Sequence, residues 1–471
     1  MKRKRQISLL IIISLAALVA SCSPQSEAPA VDTPTIAPVK ATSTPASTPV
    51  RNLDYKEISV EADRLEGIQI RFMHPWMGDT HDLLLTMVDQ FNQSNEYGIH
   101  VITQAPGSAG MVENLLKEEG DKDDYSSVVA VPASLIFALD EKDGVVVDLA
   151  PYIHSQKFGM TDEQVGDFHP DFWNAVINAD RQLGIPAQFS GMVMVYNTKW
   201  AGELGFGDPP VTPGEFKELA CAANATFKKD ADETNDGLGG WVVNRSAESV
   251  FAWLTAFGST IYTDGAYTFD SAESKEALAY LRGLTQDSCA WVGRNPRTEE
   301  YFARRETIVY TTWLQDAENL AATMARAGSV DDWSIMPFPT TNDQLTLASN
   351  LVYSVLHTND EKDLAAWLFI RWLSDPVQQA RLLQTSGTYP LGTGVMTHMG
   401  DYTQTNPQWN DLVTSGYSIQ LAPVNADWQA VRPVLEDGVW QLFNSENNPE
   451  LIQAILNQMD DLAEELAERY P

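Results

Sequence analysis

Cysteine is scarce in this chain, three residues among 471, and no CxxC pair occurs, which excludes zinc-ribbon and dithiol redox chemistry. Basic residues are also few. The 31 Lys and Arg stand against 64 Asp and Glu, for a formal charge of −33. Such an acidic surface argues against nucleic acid or an anionic membrane as partner. It favours a neutral or cationic ligand, although solubility alone also explains it. The seven histidines (His74, His81, His100, His154, His169, His357, His398) are scattered without metal-ligand spacing. HExxH, Walker and nucleophile-elbow motifs are missing as well. No metal, cofactor or catalytic residue is therefore expected, and the chain reads as a non-enzyme.

The N-terminus carries the first positive signal. Lys2-Arg3-Lys4-Arg5 precedes an uncharged apolar stretch, Ile7 to Ala20, which is too short to span a bilayer comfortably. A basic, then apolar, then small-residue order is that of a secretory signal over residues 1–21. Its ending, Val19-Ala20-Ser21-Cys22, resembles the lipobox of bacterial lipoproteins, which implies lipidation of Cys22 after cleavage; a plain signal peptide is the alternative. Removing the four basic residues takes the charge from −33 to −37. Residues 22–60 then read as the lipidated cysteine and a disordered Ser/Thr/Pro linker, too poor in large apolar side chains to fold. Fully extended at ~3.1 Å per residue, its proline-rich part would reach up to ~90 Å.

The roughly 420 residues beyond exceed a comfortable single core and suggest two domains. With Cys22 set aside, Cys221 and Cys289 form an even pair in an oxidising compartment. Each lies near the end of a helix-like segment, so one disulfide is expected, two buried thiols being the alternative. From residue 66 on, strand and helix signals alternate. Ile68-Ile70-Phe72 has strand periodicity, and Leu84, Met87, Val88 and Phe91 share a helical face that ends at Asn92. Strands follow at Ile99–Thr103 and Val128–Val131, with a short helix over Met111–Lys117 between them. Farther on, Met192–Asn197, Ile308–Tyr310, Trp333–Pro337 and Leu351–Leu356 read as strands. Pro213 opens a helix, and another, through Leu364, Leu368 and Trp372, stops near Asp375-Pro376. A last helix, capped by Asn448 with Pro449 at its first position, aligns Leu451, Ile455, Met459, Leu462 and Leu466. Continuous apolar strands separated by helices indicate an α/β fold with covered parallel sheets.

Several stretches resemble the maltose-binding-like branch of the extracellular solute-binding proteins of ABC importers. They are Gly184-Ile185-Pro186 through Val195-Tyr196-Asn197 and Trp200, Ala256-Phe257-Gly258-Ser259, Asp363 to Phe369 with Trp372 to Pro376, and Ser386 to Pro390. The resemblance runs from about Ile68 to the C-terminus. It implies a two-lobed periplasmic-binding-protein-like fold with discontinuous lobes joined by crossing hinge strands. Lobe one would comprise 66–187 plus 355–400, and lobe two 188–354 plus 401–471, with a third crossing near 398–402. It further implies a monomeric receptor, tethered to the outer face of the cell membrane by its lipid alone. Such a receptor takes a small solute, most simply a carbohydrate, from an inter-lobe cleft to an ABC permease.

A sugar site combines aromatic platforms with Asp, Asn and Gln. Trp76 and Asp79 follow the first strand, at the end where such sheets open into a cleft. Trp313 and Trp428 occupy positions where the family often supplies a stacking tryptophan. Gln188 and Phe189 lie at the first crossing, Asn350 before the second, and Tyr389 in the loop before Pro390. Asp79 could instead cap a helix and Asn350 occupy a turn, while Trp367 and Trp372 are assigned to the core. Asp230 to Gly237 looks like a degenerate calcium loop, but Val243 stands where a bidentate glutamate is needed. Two rivals remain open: the same fold holding a polyamine, glycerol phosphate or peptide, and a secreted carbohydrate-active enzyme. For an anion, clustered Arg or Lys would be needed near the cleft, and the scarcity of basic residues counts against it.

Overall fold

The computed structural model describes residues 55–469, except Lys56, 119–125, 341–343, 446–447 and Pro449. The signal, Cys22, most of the linker and Pro449 at the last helix lie outside the described residues. Strands β1 (Gln69–Met73), β2 (His100–Gln104) and β3 (Val128–Val131) run parallel, linked by helices Gly78–Ser94 and Ala109–Glu118. β4 (Ile185–Ser190) belongs to the same sheet, and after Gly191 the chain enters a second sheet as β5 (Met192–Asn197). There it is joined by β6 (Gly239–Val242), β7 (Ala290–Trp291), β8 (Thr307–Trp313) and β9 (Trp333–Met336). β10 (Gln344–Leu347) leads through Ala348 to β11 (Ser349–Val355), which returns to the first sheet between β3 and β4. β12 (Ser418–Leu421) pairs in parallel with β10. The two five-stranded sheets have the orders β2-β1-β3-β11-β4 and β7-β6-β8-β5-β9.

Sheet composition explains the layering. All four residues of β3 and all six of β5 are buried, so helices must cover both faces. Helix Asp360–Leu373 packs on the first sheet, where Phe369 meets Phe72 and Phe91 at ring distances of 5.3 and 5.0 Å. Trp367 is fully buried there with its indole N–H on Phe158 O at 2.9 Å. The second sheet is braced by Trp241, Trp253 and Phe216, packed edge to face. Helix Pro213–Phe227 starts on a capping box, Thr212 with Glu215, and has Pro213 in its first turn. Cys221 on that helix is disulfide-bonded to Cys289 just before β7, with Cα atoms 4.4 Å apart.

Three boundaries differ from expectation for physical reasons. Asn92 does not end its helix, which continues to Ser94; its amide instead donates to Val101 O and accepts from Val101 N, tying helix to β2. Asp375 not only follows one helix but caps the next, Pro376–Ser386, by accepting from Val377 N at 3.0 Å. β8 extends past Tyr310 because Thr311, Thr312 and Trp313 keep register with Met194, Val193 and Met192.

Candidate functional site

The carboxyl end of β8 meets the crossing at Gly191. Leu314 N donates to Gly191 O at 3.0 Å, and Ser190 Oγ is hydrogen-bonded to Gln315 Oε1. Asp79, just past β1, lies near enough to Glu318 to raise that carboxyl's affinity for a proton. Tyr402 OH donates to the same carboxylate at 3.4 Å. A groove therefore runs between the strand ends of the two sheets, where α/β folds hold ligands.

The wall of the first sheet is aromatic and enclosed. Trp76 is half-buried, and its indole N–H donates to Gln188 Oε1 across 112 residues of sequence. Behind it His74 is fully buried, 5.5 Å from the rings of both Trp76 and His81, with neither ring nitrogen bonded among the described residues. Burial, reinforced by His81, lowers its pKa from 6.5 to about 4, so it is neutral at pH 7. Trp76, Gln188 and Tyr389 share a small cavity of about 10 Å³, room for a water and little more, with Thr388 and Leu391.

The wall of the second sheet is open and charged. Trp313, half-exposed at the end of β8, lines a basin of about 670 Å³ with Asp316, Asn319 and the loops after β6 and β7. Protein atoms crowding Asp316, and then the charge of Glu299, hold its carboxyl above the usual range. Glu318 is shifted the same way, first by its crowded surroundings.

Of the expected residues, Trp76, Asp79, Gln188 and Trp313 sit at the groove, and Tyr389 reaches the small cavity although only 9% exposed. Asp79 is exposed in the first turn of its helix and makes no cap bond, Met77 being the N-cap. Phe189, expected beside the ligand, is 1% exposed and stacks on Phe172 at 4.1 Å. Trp428, expected as a platform, is 5% exposed and stacks on Tyr267 with its edge toward Phe251. Asn350 is not a turn residue: from within β11 its Oδ1 accepts from Ala133 N at 2.8 Å, closing the start of helix Ala133–Asp143. Residues that the sequence reading did not single out are Asp316, Glu318, Tyr402 and the arginines 245 and 294. For all but Tyr402, which sits in helix Gly400–Thr405, the signal was position in or near a loop that follows a strand of the second sheet. Asp230–Gly237 closes on itself, Asp232 accepting from Thr234 and Asn235 Nδ2 donating to Asp230.

A family profile described as bacterial extracellular solute-binding protein matches residues 86–411. Similar solved structures include the cyclic α-maltosyl-1,6-maltose binding protein of Arthrobacter globiformis, with 16% identity, TM-score 0.71, and coverage of 85% of this chain and 99% of that one. The ABC substrate-binding protein Lmo0181 of Listeria monocytogenes, in complex with cycloalternan, gives 19%, 0.65, 85% and 99%. UgpB of Mycobacterium tuberculosis, in complex with glycerophosphocholine, gives 15%, 0.67, 85% and 98%. No curated protein sequence matches. The profile covers well over half of the residues, and the two-sheet architecture is that of the neighbours: the chain belongs to the bacterial extracellular solute-binding proteins.

Proposed function

We propose that this receptor captures a sugar or oligosaccharide between two lobes and delivers it to an ABC permease. The observation that carries the reading is a partly exposed tryptophan near the strand ends of each sheet, Trp76 beside Gln188 and Trp313 beside Asp316, with Asp79 near Glu318 between them. Indole faces suit the C–H faces of sugar rings, and amide and carboxylate groups suit the hydroxyls. Two neighbours are named for oligosaccharide ligands, which supports the same class. Lobe one is taken as 66–190 plus 349–399 and lobe two as 192–347 plus 407–469, with a third passage through helix Gly400–Thr405. These limits fall a few residues from 187 and 355, because β4 and β11 lie wholly in the first sheet.

The crossings at Gly191 and Ala348 are in contact. A Cβ at Gly191 would run into Thr346 O and lie 3.0 Å from Leu347 Cα. Short crossovers packed this closely bend as a hinge while each sheet stays rigid. Cys22 and the linker would tether the monomer at the outer face of the membrane. The rival reading, a secreted glycosidase, draws on the proton affinity of Asp316 and Glu318. A thermal-shift screen of neutral and acidic oligosaccharides tests the proposal, since a specific ligand stabilises by RT ln(1 + [L]/Kd). At least one should raise Tm and be recovered intact. Cleavage of the ligand would establish the glycosidase, and no saccharide raising Tm would remove the sugar reading.

A further inference from the structure

The basin beside Trp313 gathers Arg245, Arg294 and Arg297 in a protein with only 31 basic residues. Arg297 is committed to Glu300 in an ion pair. The side chains of Arg245 and Arg294 have no hydrogen bond or ion pair among the described residues. Glu299 and Asp316 line the same basin, yet neither forms an ion pair with them. Arg245 is half-exposed and Arg294 exposed.

Both loops are held in place independently of any ligand. Tyr301 OH accepts from Arg294 N at 3.0 Å and from Asn295 N at 2.8 Å. Asn295 Oδ1 accepts from Arg297 N at 3.0 Å. Gly293 lies so close to the Tyr301 ring that a Cβ would be 2.9 Å from it. Across the basin, Asn244 Oδ1 accepts from Ser246 N at 2.9 Å and fixes the turn that carries Arg245. Two unpaired guanidinium groups on fixed loops, opening into one cavity, are a preorganised receptor for an oxyanion.

We propose that Arg245 and Arg294 clamp an oxyanion of the solute, a carboxylate or a phosphate, so that the preferred ligand is an acidic saccharide or a polyol phosphate. This rests on the groove being the solute site and narrows its chemistry. It also reverses the expectation that few basic residues disfavour an anion: the total is low, but the two arginines without a side-chain partner among the described residues line one basin.

The test is calorimetric titration of the full folded chain, at constant ionic strength, with sodium sulfate, glycerol 3-phosphate, trigalacturonate and neutral maltotriose. At least one anion should bind saturably, and Arg245→Gln with Arg294→Gln should weaken it tenfold or more while leaving Tm without ligand unchanged. Trigalacturonate ahead of glycerol 3-phosphate identifies the carboxylate source, and the reverse order the phosphate. Absence of saturable anion binding, or equal binding by the double variant, overturns the proposal. Maltotriose binding without anion binding leaves the sugar reading standing and this one fallen. Sulfate or glycerol 3-phosphate binding with no saccharide bound gives the opposite result.

Discussion

The two walls of the groove are built on opposite principles. The first-sheet wall is nearly closed: Trp76 is pinned by Gln188, His74 is buried with no bond among the described residues, and the cavity left is about 10 Å³. The second-sheet wall is charged and open, with about 670 Å³ beside Trp313 and loops locked by Tyr301 and Asn244. A closed wall offers a ligand a contact surface, whereas an open polar basin offers volume, charge and hydrogen bonding. On the proposed reading, the solute rests against the first wall and is selected in the second.

Substitution of Trp313 by Ala gives the largest expected effect on ligand affinity. Saccharide affinity should fall about 100-fold, as for a central aromatic anchor, with Tm of the free protein nearly unchanged. If calorimetry shows full affinity, the stacking surface belongs to the first wall alone. Next is the Cys221–Cys289 bond, which closes a sequence separation of 68 in the second wall's support. Cys221→Ser with Cys289→Ser should cost roughly 4 kcal/mol in urea unfolding on the chain-entropy account. Loss confined to the second sheet, read by hydrogen exchange, sharpens the comparison, and equal loss in both sheets breaks it.

The first wall should instead be sensitive to acid. His74 is lowered from 6.5 to about 4, so the unfolded chain binds a proton that the folded one refuses. Stability is therefore complete above pH 6.5 and declines as pH falls toward 4, by about 2 kcal/mol at pH 5. Urea midpoints at pH 7 and pH 5 should lose that difference in His74→Phe; an unchanged difference would place the acid sensitivity elsewhere. The smallest effect is that of Asn350→Ala, about 1 kcal/mol for one lost helix-start bond, read from the same unfolding curves.

Much of the fold was legible because its signals are local. Continuous apolar strands such as Val128–Val131, the Thr212–Glu215 cap with Pro213, and the stripe through Leu364 and Leu368 all depend on neighbours in sequence. Site residues were legible only to the strand end. Gln188 and Phe189 were both expected at the ligand, yet consecutive strand residues point to opposite faces. Gln188 therefore meets Trp76 while Phe189 stacks on Phe172. Trp428 depends on Tyr267 and Phe251, more than 150 residues earlier, which no local pattern reveals. Asn350 likewise serves a helix start 217 residues away. The arginines were discounted because composition counts charges without locating them.

The contact between Gly191 and the strand ending at Leu347 has a consequence for how such a receptor can diversify. A single methyl group added there would act as a shim, prising the crossings apart and altering the swing of every later motion. The loops at 243–246 and 292–298, by contrast, hang from strand tips of the second sheet and share their basin with Met192, the residue after Gly191. On the proposed reading, changes at the tips alter which cargo is held, and a change at Gly191 alters how the lobes swing.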